Sequence, residues 1–405
     1  AQHAIKKAYN VHDLSGFGIN ESDVYLPAAG ALLQYIKHTQ KTDFFHLQHI
    51  QLEYLDQYLH IDAQSRKNLE IDYHPDGKDE LTLCGFIDQC STAMGSRKIR
   101  RWVKQPVRDR QILKHRLNSI DSLIASAKII DIQNILKGVA DIERIVARIS
   151  LLTARPRDLV ALRESLAAVD HLQSTLNDMD HPDLDQLKSE INPHHDIHTL
   201  LVNAVKENPP VVIRDGGVIA DNFDDTLDEL RNISTDAGQY MLDFEVEQQE
   251  LTQISTLKVG YNRVHGYFIE VSKLQSEHVP EHYIRRQTLK GVERYTTPEL
   301  KQFEQKVLSS KEKSLAHEKE LYLNLLKGFS SVIGSLQALA EAVSELDALT
   351  NLSERANTHQ FCKPELTNEL IIDIKQGRHP VVETIQDTPF EPNDLTLNQK
   401  EKMLI

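Results

Sequence analysis

A short β-type segment, Leu257 to Thr297, interrupts two long charged helical patterns, and it constrains the fold more than any other feature. The helical pattern before it, Asp224 to Ile254, carries apolar residues at three- and four-residue steps, a stripe wide enough for one partner helix. The pattern after it opens with Thr297-Pro-Glu299, an N-cap followed by proline at the first helical position. Residues 258–271 predict two strands that meet at a glycine-containing turn. The sequence therefore predicts a pair of helical arms that carry a small sheet.

The charge of this segment differs from the charge of the chain as a whole. The net charge of -14 argues against a protein that coats nucleic acid by bulk attraction. Residues 258–294, however, contain seven Lys or Arg and three His against four Glu. Both a local nucleic-acid surface and an ordinary solvated surface fit this count.

The length of the chain, its apolar runs and its cysteines limit which class of protein it can be. A chain of 405 residues predicts two to four domains. No run of eighteen apolar residues occurs, so we expect no membrane-spanning helix. Cys84, Cys90 and Cys362 are odd in number and lack metal-ligand spacing, which predicts a reducing, cytoplasmic location.

The hydrophobic pattern changes along the chain. Residues 1–61 look mixed α/β, and the alternation at residues 50–54 predicts a strand. Residues 62–236 are helical almost throughout, with one run at 86–103, and helical periodicity continues after the second arm. The chain ends inside an apolar β-type pattern, Lys402 to Ile405, so we expect it to be part of a longer protein. The predicted fold class is mainly α: a long helical domain with a small β-containing insertion, and α/β pieces at both ends.

Two other clusters compete as functional sites. His194, His195 and His198 place two imidazoles four residues apart, but no Glu follows the first His as a zincin site requires. A solvent-facing helix start is therefore favoured over a metal site. Residues 97–104 are the densest basic segment, where a packed amphipathic helix is favoured over a phosphate contact. No phosphate-loop, nucleophile-elbow or dinucleotide motif occurs, so we expect no catalysis by this chain.

Several long and unusual strings occur in one order along the chain. They are Met94-Gly-Ser-Arg97, Gln105-Pro-Val-Arg-Asp109, Thr153-Ala-Arg-Pro-Arg-Asp-Leu159, Arg214-Asp-Gly-Gly-Val-Ile219, Lys258-Val-Gly-Tyr-Asn262, His265-Gly-Tyr267, Arg285-Arg-Gln-Thr-Leu-Lys290, Glu293-Arg-Tyr295 and Gly377-Arg-His-Pro-Val-Val-Glu383. Together they closely resemble the MutS family of bacterial DNA mismatch-repair proteins. The resemblance runs from about residue 28 to residue 405.

The resemblance implies a domain division. Residues 1–61 resemble the end of a connector domain, and residues 362–405 resemble the start of an ABC-type ATPase domain, ending before its phosphate loop. Residues 62–237 and 298–361 resemble the helical lever, or core, domain. Residues 238–297 resemble the clamp domain that is inserted into the lever.

The resemblance also implies a function. Family members form homodimeric rings around mismatched duplex DNA, use ATP and Mg to become sliding clamps, and recruit a MutL-type partner. No ATP or Mg is expected on this chain alone. Cations and amides match phosphate geometry, so we expect clamp contacts to the DNA backbone from Lys258, Asn262, Arg263, Arg285, Arg286, Lys290 and Arg294. Phe390 occupies the position that stacks on adenine. The alternative is a helical scaffold or hinge whose tip contacts another protein.

Overall fold

The computed structural model describes residues 2–9, 11, 13–14, 19–20, 23–40, 47, 50, 52–235, 237–262 and 266–400. These residues are mainly α-helical with two small antiparallel sheets, which confirms the predicted fold class. The helices are α1 (Gln2–Tyr9), α2 (Leu26–Gln40), α3 (Ala63–Asn68), α4 (Leu83–Ile87), α5 (Ala93–Lys104), α6 (Arg110–Ser126), α7 (Ile129–Leu136), α8 (Ile142–Ser150), α9 (Pro156–Asn177), α10 (Asp185–Glu190), α11 (His195–Ala204), α12 (Asp225–Thr235), α13 (Ala237–Thr252), α14 (Pro298–Gly328), α15 (Ile333–Thr358) and α16 (Pro380–Ile385). The strands are β1 (Lys258–Asn262), β2 (Gly266–Ser272), β3 (Ile284–Thr288), β4 (Val292–Thr296), β5 (Ile372–Gly377) and β6 (Asn393–Leu397). Within the described ranges, no helix is long and apolar enough to cross a membrane.

The chain divides into two compact units. Unit 1 contains residues 1–154, 158–201 and 326–405, and unit 2 contains residues 155–157 and 202–325. This division groups most of both helical arms with the sheet between them. The domain bounds implied by the family resemblance separate the sheet from the arms instead, and those bounds stay a prediction.

The core of unit 1 is built around α15, which has buried residues along most of its length and contacts α5, α6, α7 and α8. Its Asp347 is buried and accepts hydrogen bonds from the N–H groups of Ser91 at 3.0 Å and Thr92 at 2.7 Å. These bonds satisfy backbone groups between α4 and α5, and the Thr92 side chain caps α5. The prediction of one uninterrupted helix over residues 86–103 is therefore wrong.

Gly95 is required by the close approach of α5 to α15. A β-carbon at this position would overlap the carboxylate of Asp347. That carboxylate cannot move aside without losing its bonds to the N-terminus of α5. Burial raises the pKa of Asp347 despite these bonds. The motif Met94-Gly-Ser-Arg97 thus contains a residue that helix packing demands.

The two ends of the chain form smaller clusters. Near the N-terminus, Ile5, Leu14, Ile19 and Leu26 are buried together. None of the described residues within 50–54 belongs to a strand, so the strand prediction there is wrong for them. Toward the other end, β5 pairs antiparallel with β6.

Unit 2 contains the β-type segment that the sequence predicts between the arms. The incoming arm consists of α12 and α13, and the returning arm is α14. The sheet has the order β1-β2-β4-β3, with every neighbouring pair antiparallel. β1 and β2 confirm the predicted hairpin. The side chain of Thr297 accepts the N–H of Leu300 at 3.2 Å, which confirms the predicted N-cap of α14.

The covered face of the sheet packs against the two arms. Ile269 and Val271 of β2 are buried together with Phe244 of α13 and Leu300 of α14. Strand side chains alternate between faces, so β2 turns Tyr267, Ile269 and Val271 inward and its intervening residues, Phe268 among them, outward. The sheet therefore buries part of the apolar stripe that runs along the arms.

A single carboxylate joins the two arms near the base of unit 2. Glu318 of α14 is 2% exposed and accepts the N–H groups of Gly217 at 2.9 Å, Val218 at 2.7 Å and Ile219 at 2.9 Å. It also accepts Nη2 of Arg231, from α12, at 2.7 Å. Glu318 thus holds the loop before α12, α12 itself and α14 in one arrangement.

Candidate nucleic-acid interface

The sheet of unit 2 leaves one face open, away from the arms. On this face the register sets four side chains in one row across β1, β2, β4 and β3. They are Lys258, Glu270, Arg294 and Gln287. Directly opposite residues on one face lie close enough to interact. The open face therefore carries two cations with a carboxylate between them.

Arg294 is engaged within this open face. Its Nε donates to Oε2 of Glu270 at 3.0 Å, and its Nη1 donates to Oε1 of Gln287 at 3.3 Å. The guanidinium also lies 4.1 Å from the ring centroid of Phe268, a cation–π contact. That ring lies against Gly260, where a β-carbon would sit only 3.0 Å from Cζ. A phosphate contact by Arg294 therefore has to compete with Glu270.

Arg285 neutralises a buried charge. Its Nη2 donates to Oε1 of Glu293 and to Oγ1 of Thr288, both at 2.6 Å. Glu293 is buried, and Tyr295 donates its hydroxyl to the other carboxylate oxygen at 2.6 Å. Burial and this hydrogen bond raise the pKa of Tyr295 to about 12. Removing Arg285 would leave Glu293 without its cationic partner.

Three further candidates, Arg286, Asn262 and Arg263, have different surroundings from one another. Arg286 is exposed at an irregularity in the pairing of β3 with β4. Asn262 is half-buried at the end of β1, and Arg263 lies outside the described residues. Across the β1–β2 hairpin, Gly266 approaches Glu304 of α14 so closely that a β-carbon would overlap the carboxylate. DNA contact by these residues stays a prediction.

The direction of β1 decides which end of the sheet projects away from the arms. Nε2 of Gln249, on α13, donates to the carbonyl oxygen of Leu257 at 2.7 Å. Oε2 of Glu245, one turn earlier on α13, accepts the N–H of Val259 at 2.7 Å. β1 therefore runs back along α13. Gly266, at the hairpin end of β2, lies against Glu304 of α14. The opposite end of the sheet lies near the end of α13 and projects away from the start of α14.

We call that projecting end the distal edge and define it as residues 253–258, 272–278 and 289–292. The N–H of Lys273 donates to the carbonyl oxygen of Gly291 at 3.2 Å, which joins two of these segments. Glu277 is the one acidic residue in the three ranges. Three lysines of the edge, which we call the edge lysines, are exposed: Lys258, Lys273 and Lys290. The edge is locally positive on an acidic chain.

Lys273 was not among the residues predicted to contact DNA. It follows β2 and begins a short 3-10 helix, Lys273–His278, so no strand or turn pattern marks it. Only the pairing of β2 with β4 brings it beside the turn that contains Lys290. The signal available in the sequence was its charge within the basic window at 258–294.

The histidine cluster has the surroundings of a helix start. His195 begins α11, as that interpretation expects. His194 is half-buried, and burial lowers its pKa. His195 lies 3.6 Å from a carboxylate oxygen of Asp170. Among the described residues, no group of three or more His, Cys, Asp or Glu could hold a metal ion.

The basic segment at 97–104 forms most of α5, and its arginines are paired within unit 1. Arg97 donates to Asp141 at 2.8 Å, and Nε of Arg100 donates to Asp88 at 2.5 Å. A cation that already neutralises a nearby carboxylate contributes little to binding a phosphate. These ion pairs favour the packed-helix interpretation over a phosphate site.

Phe390 lies between α16 and β6 and is half-buried. An aromatic ring supplies stacking, whereas nucleotide phosphates need cations or free N–H groups at a helix N-terminus. The nearby helix α16 is only six residues long, and His379 already accepts the N–H of Val382 at its start. The start of α16 therefore offers no phosphate site of its own, and adenine stacking by Phe390 stays a prediction.

The fold and the distal edge together describe a mainly helical protein in which two helical arms carry a small sheet with a basic end. A family model for MutS domain III matches residues 64–353, and one for MutS domain II matches residues 1–51. The first match covers more than half of the chain. The chain belongs to the MutS family of DNA mismatch-repair proteins, which confirms the resemblance carried by its motifs.

Proposed function

We propose that unit 2 holds duplex DNA by its phosphates through the distal edge, as part of a DNA mismatch-repair protein. The observation that carries this proposal is the meeting of three exposed lysines, from three segments of the chain, at one end of the sheet. Glu277 is the one opposing acidic residue in these segments. The local field therefore favours a polyanion, although the whole chain is acidic.

Lysine side chains suit a contact that ignores base sequence. Each ends in a compact ammonium group on a flexible stem, which can follow a phosphate without the fixed geometry that base edges require. Phosphate contacts set the orientation of the duplex but carry no sequence information. We therefore assign the edge to holding DNA. Arg285 and Arg294 maintain the charge balance of the sheet that supports it.

The arms give the distal edge a stiff support. α14 is 31 residues long, which corresponds to about 46 Å at the usual rise of a helix. Glu318 fixes α14 to α12 and to the loop before it. Rigid elements that move as bodies transmit a displacement from one end to the other. We propose that the arms act as a lever for the edge.

A further part of the proposal concerns the whole protein. We propose a homodimer that encloses mismatched duplex DNA, a MutL-type repair partner, and a cytoplasmic location. ATP with Mg is the proposed cofactor of the whole protein, and it would supply the free energy of conformational change when bound. Within the present chain we assign a holding role and no catalytic step.

The test is duplex binding measured by fluorescence anisotropy across a potassium chloride series. Each neutralised phosphate contributes about 0.9 to the slope of log affinity against log salt concentration. Replacing the three edge lysines together by alanine should weaken binding and reduce this slope by up to about 2.7. The matched control replaces three exposed lysines of α14, Lys311, Lys313 and Lys319, and should leave the slope unchanged.

Binding that ignores both salt and the loss of the edge lysines would overturn the proposal. It would favour the helical scaffold, in which the tip of the arms contacts another protein. Arg285→Ala is a poor probe, because it leaves the buried Glu293 without its cationic partner. A loss of binding in that variant would report damage to the sheet rather than a lost phosphate contact.

A further inference from the structure

A leucine projects from the distal edge almost entirely into solvent. Leu274 is 92% exposed and follows Lys273 in the short 3-10 helix. Other exposed leucines of unit 2 have different surroundings. Leu242 and Leu251 are each 60% exposed on α13, whose charged residues are all acidic. Leu274 instead directly follows Lys273 on the distal edge, the surface proposed to bind DNA.

The turn that carries Leu274 is fixed by hydrogen bonds on both sides. The N–H of Lys273 is bonded to the β3–β4 turn at 3.2 Å, and Oγ of Ser276 donates to the carbonyl oxygen of Lys273 at 2.9 Å. Oγ1 of Thr256 donates to Oε1 of Gln275 at 2.6 Å. The leucine is therefore presented on a tied turn and not on a free loop, which lowers the entropy lost when it makes a contact.

We propose that Leu274 enters the minor groove of the bound duplex while the edge lysines contact phosphates along the borders of that groove. This inference rests on the proposed function. The minor groove of B-form DNA is about 6 Å wide and admits a side chain but not a helix. Leucine is among the apolar residues that proteins insert there. The neighbouring lysines supply the countercharge that the phosphates bordering the groove require.

An apolar contact and a phosphate contact leave different signatures in the salt dependence. Losing a lysine contact removes counterion release and lowers the slope of log affinity against log salt. Losing a leucine contact removes burial of apolar surface, which releases no counterions. The affinity then falls by a similar factor at every salt concentration. The two contributions to one edge are therefore separable.

The experiment measures duplex binding by the full chain carrying Leu274→Ala across the same salt series. We expect about tenfold weaker binding, from the loss of part of a leucine's burial, with the slope of the unaltered chain. Leu242→Ala makes the same chemical change at an exposed leucine of α13 and should bind as the unaltered chain does. Both side chains are exposed, so neither variant should alter the far-UV circular dichroism.

A minor-groove ligand identifies the groove. Netropsin, which occupies the minor groove of A·T-rich DNA, should weaken binding of the unaltered chain more than binding of Leu274→Ala. Equal weakening of the two would overturn the minor-groove assignment.

The possible failures are distinguishable. Unchanged affinity in Leu274→Ala, with salt-dependent binding in the unaltered chain, would overturn the inference and leave the proposed function standing. An unaltered chain without salt-dependent binding would overturn both. Self-association that Leu274→Ala abolishes would assign the leucine to contact with a second copy of the chain and would also overturn the inference.

Discussion

Replacing Glu318 by alanine should destabilise unit 2 more than replacing it by glutamine. The carboxylate accepts three consecutive N–H groups, those of Gly217, Val218 and Ile219, together with Nη2 of Arg231. Alanine removes all four bonds and leaves the guanidinium without its buried partner. Glutamine keeps the shape of the side chain and one carbonyl oxygen, so it loses the charge and the equivalent of one acceptor oxygen.

The magnitude follows from what each variant leaves unpaired. Val218 and Ile219 are 0% exposed, so water cannot replace the lost acceptor at these residues. Breaking a buried ion pair by removing one partner costs about 3–5 kcal/mol. We expect this range for Glu318→Ala. A buried donor left without a partner costs about 1–3 kcal/mol, which is the range we expect for Glu318→Gln.

Amide hydrogen exchange measures this effect locally, since a chain of two units need not unfold in one step. Exchange at residues 217–219 should be at least about a hundredfold faster in Glu318→Ala, because tenfold corresponds to about 1.4 kcal/mol. Glu320→Ala, at an exposed position of the same helix, is the control and should exchange as the unaltered chain does. Protection that survives Glu318→Ala within a factor of about three would refute the reasoning.

Two further changes probe other contacts. Gly95→Ala should destabilise unit 1 by about 1–3 kcal/mol, since its β-carbon would overlap Asp347. At Gly238 a β-carbon meets nothing within 4 Å, so Gly238→Ala should be neutral or stabilising. Urea unfolding measures the free energy of unfolding of both variants. Hydrogen bonds from the N–H of Leu227 and from His317 hold the pKa of Asp224 below its usual value. The carboxylate therefore stabilises the fold above about pH 4, and this contribution is lost as the pH falls through the folded-state pKa. A carboxylate at a helix N-terminus contributes about 0.3–1 kcal/mol, which is the loss of stability expected for Asp224→Asn at pH 7. Urea unfolding should find this difference shrinking toward pH 3, and a constant difference would contradict it.

The arms and the first hairpin were predictable because their signals are local. Thr297 and Pro298 mark the start of α14 by capping chemistry that involves only the first helical turn. The hydrogen bond from the N–H of Leu300 to the side chain of Thr297 is the cap that this pattern predicts. The residues at 258–271 predict β1 and β2 through β-branched and aromatic side chains on either side of a glycine. Each prediction depends on a few neighbouring positions.

The distal edge was not predictable, because it depends on pairing between distant segments. β3 is exposed at four of its five positions, so it lacks the alternation that marks a half-buried strand. Lys273 meets Gly291 only because β2 lies beside β4. Arg285 and Arg294 look as suitable for phosphate as any lysine in the sequence. Only the folded sheet reveals the carboxylates that engage them.

The edge lysines come from three segments that become neighbours only when the four strands are paired. An unfolded chain carries the same lysines but cannot gather them, so duplex DNA should bind the folded form preferentially. A ligand of that kind raises the free energy of unfolding, by about 2.7 kcal/mol when it is present at a hundred times its dissociation constant. Under the proposed function, duplex DNA should thus stabilise the sheet. Substitutions that weaken strand pairing far from the edge should therefore lower the affinity for DNA. Binding affinity then reports how well the strands are paired.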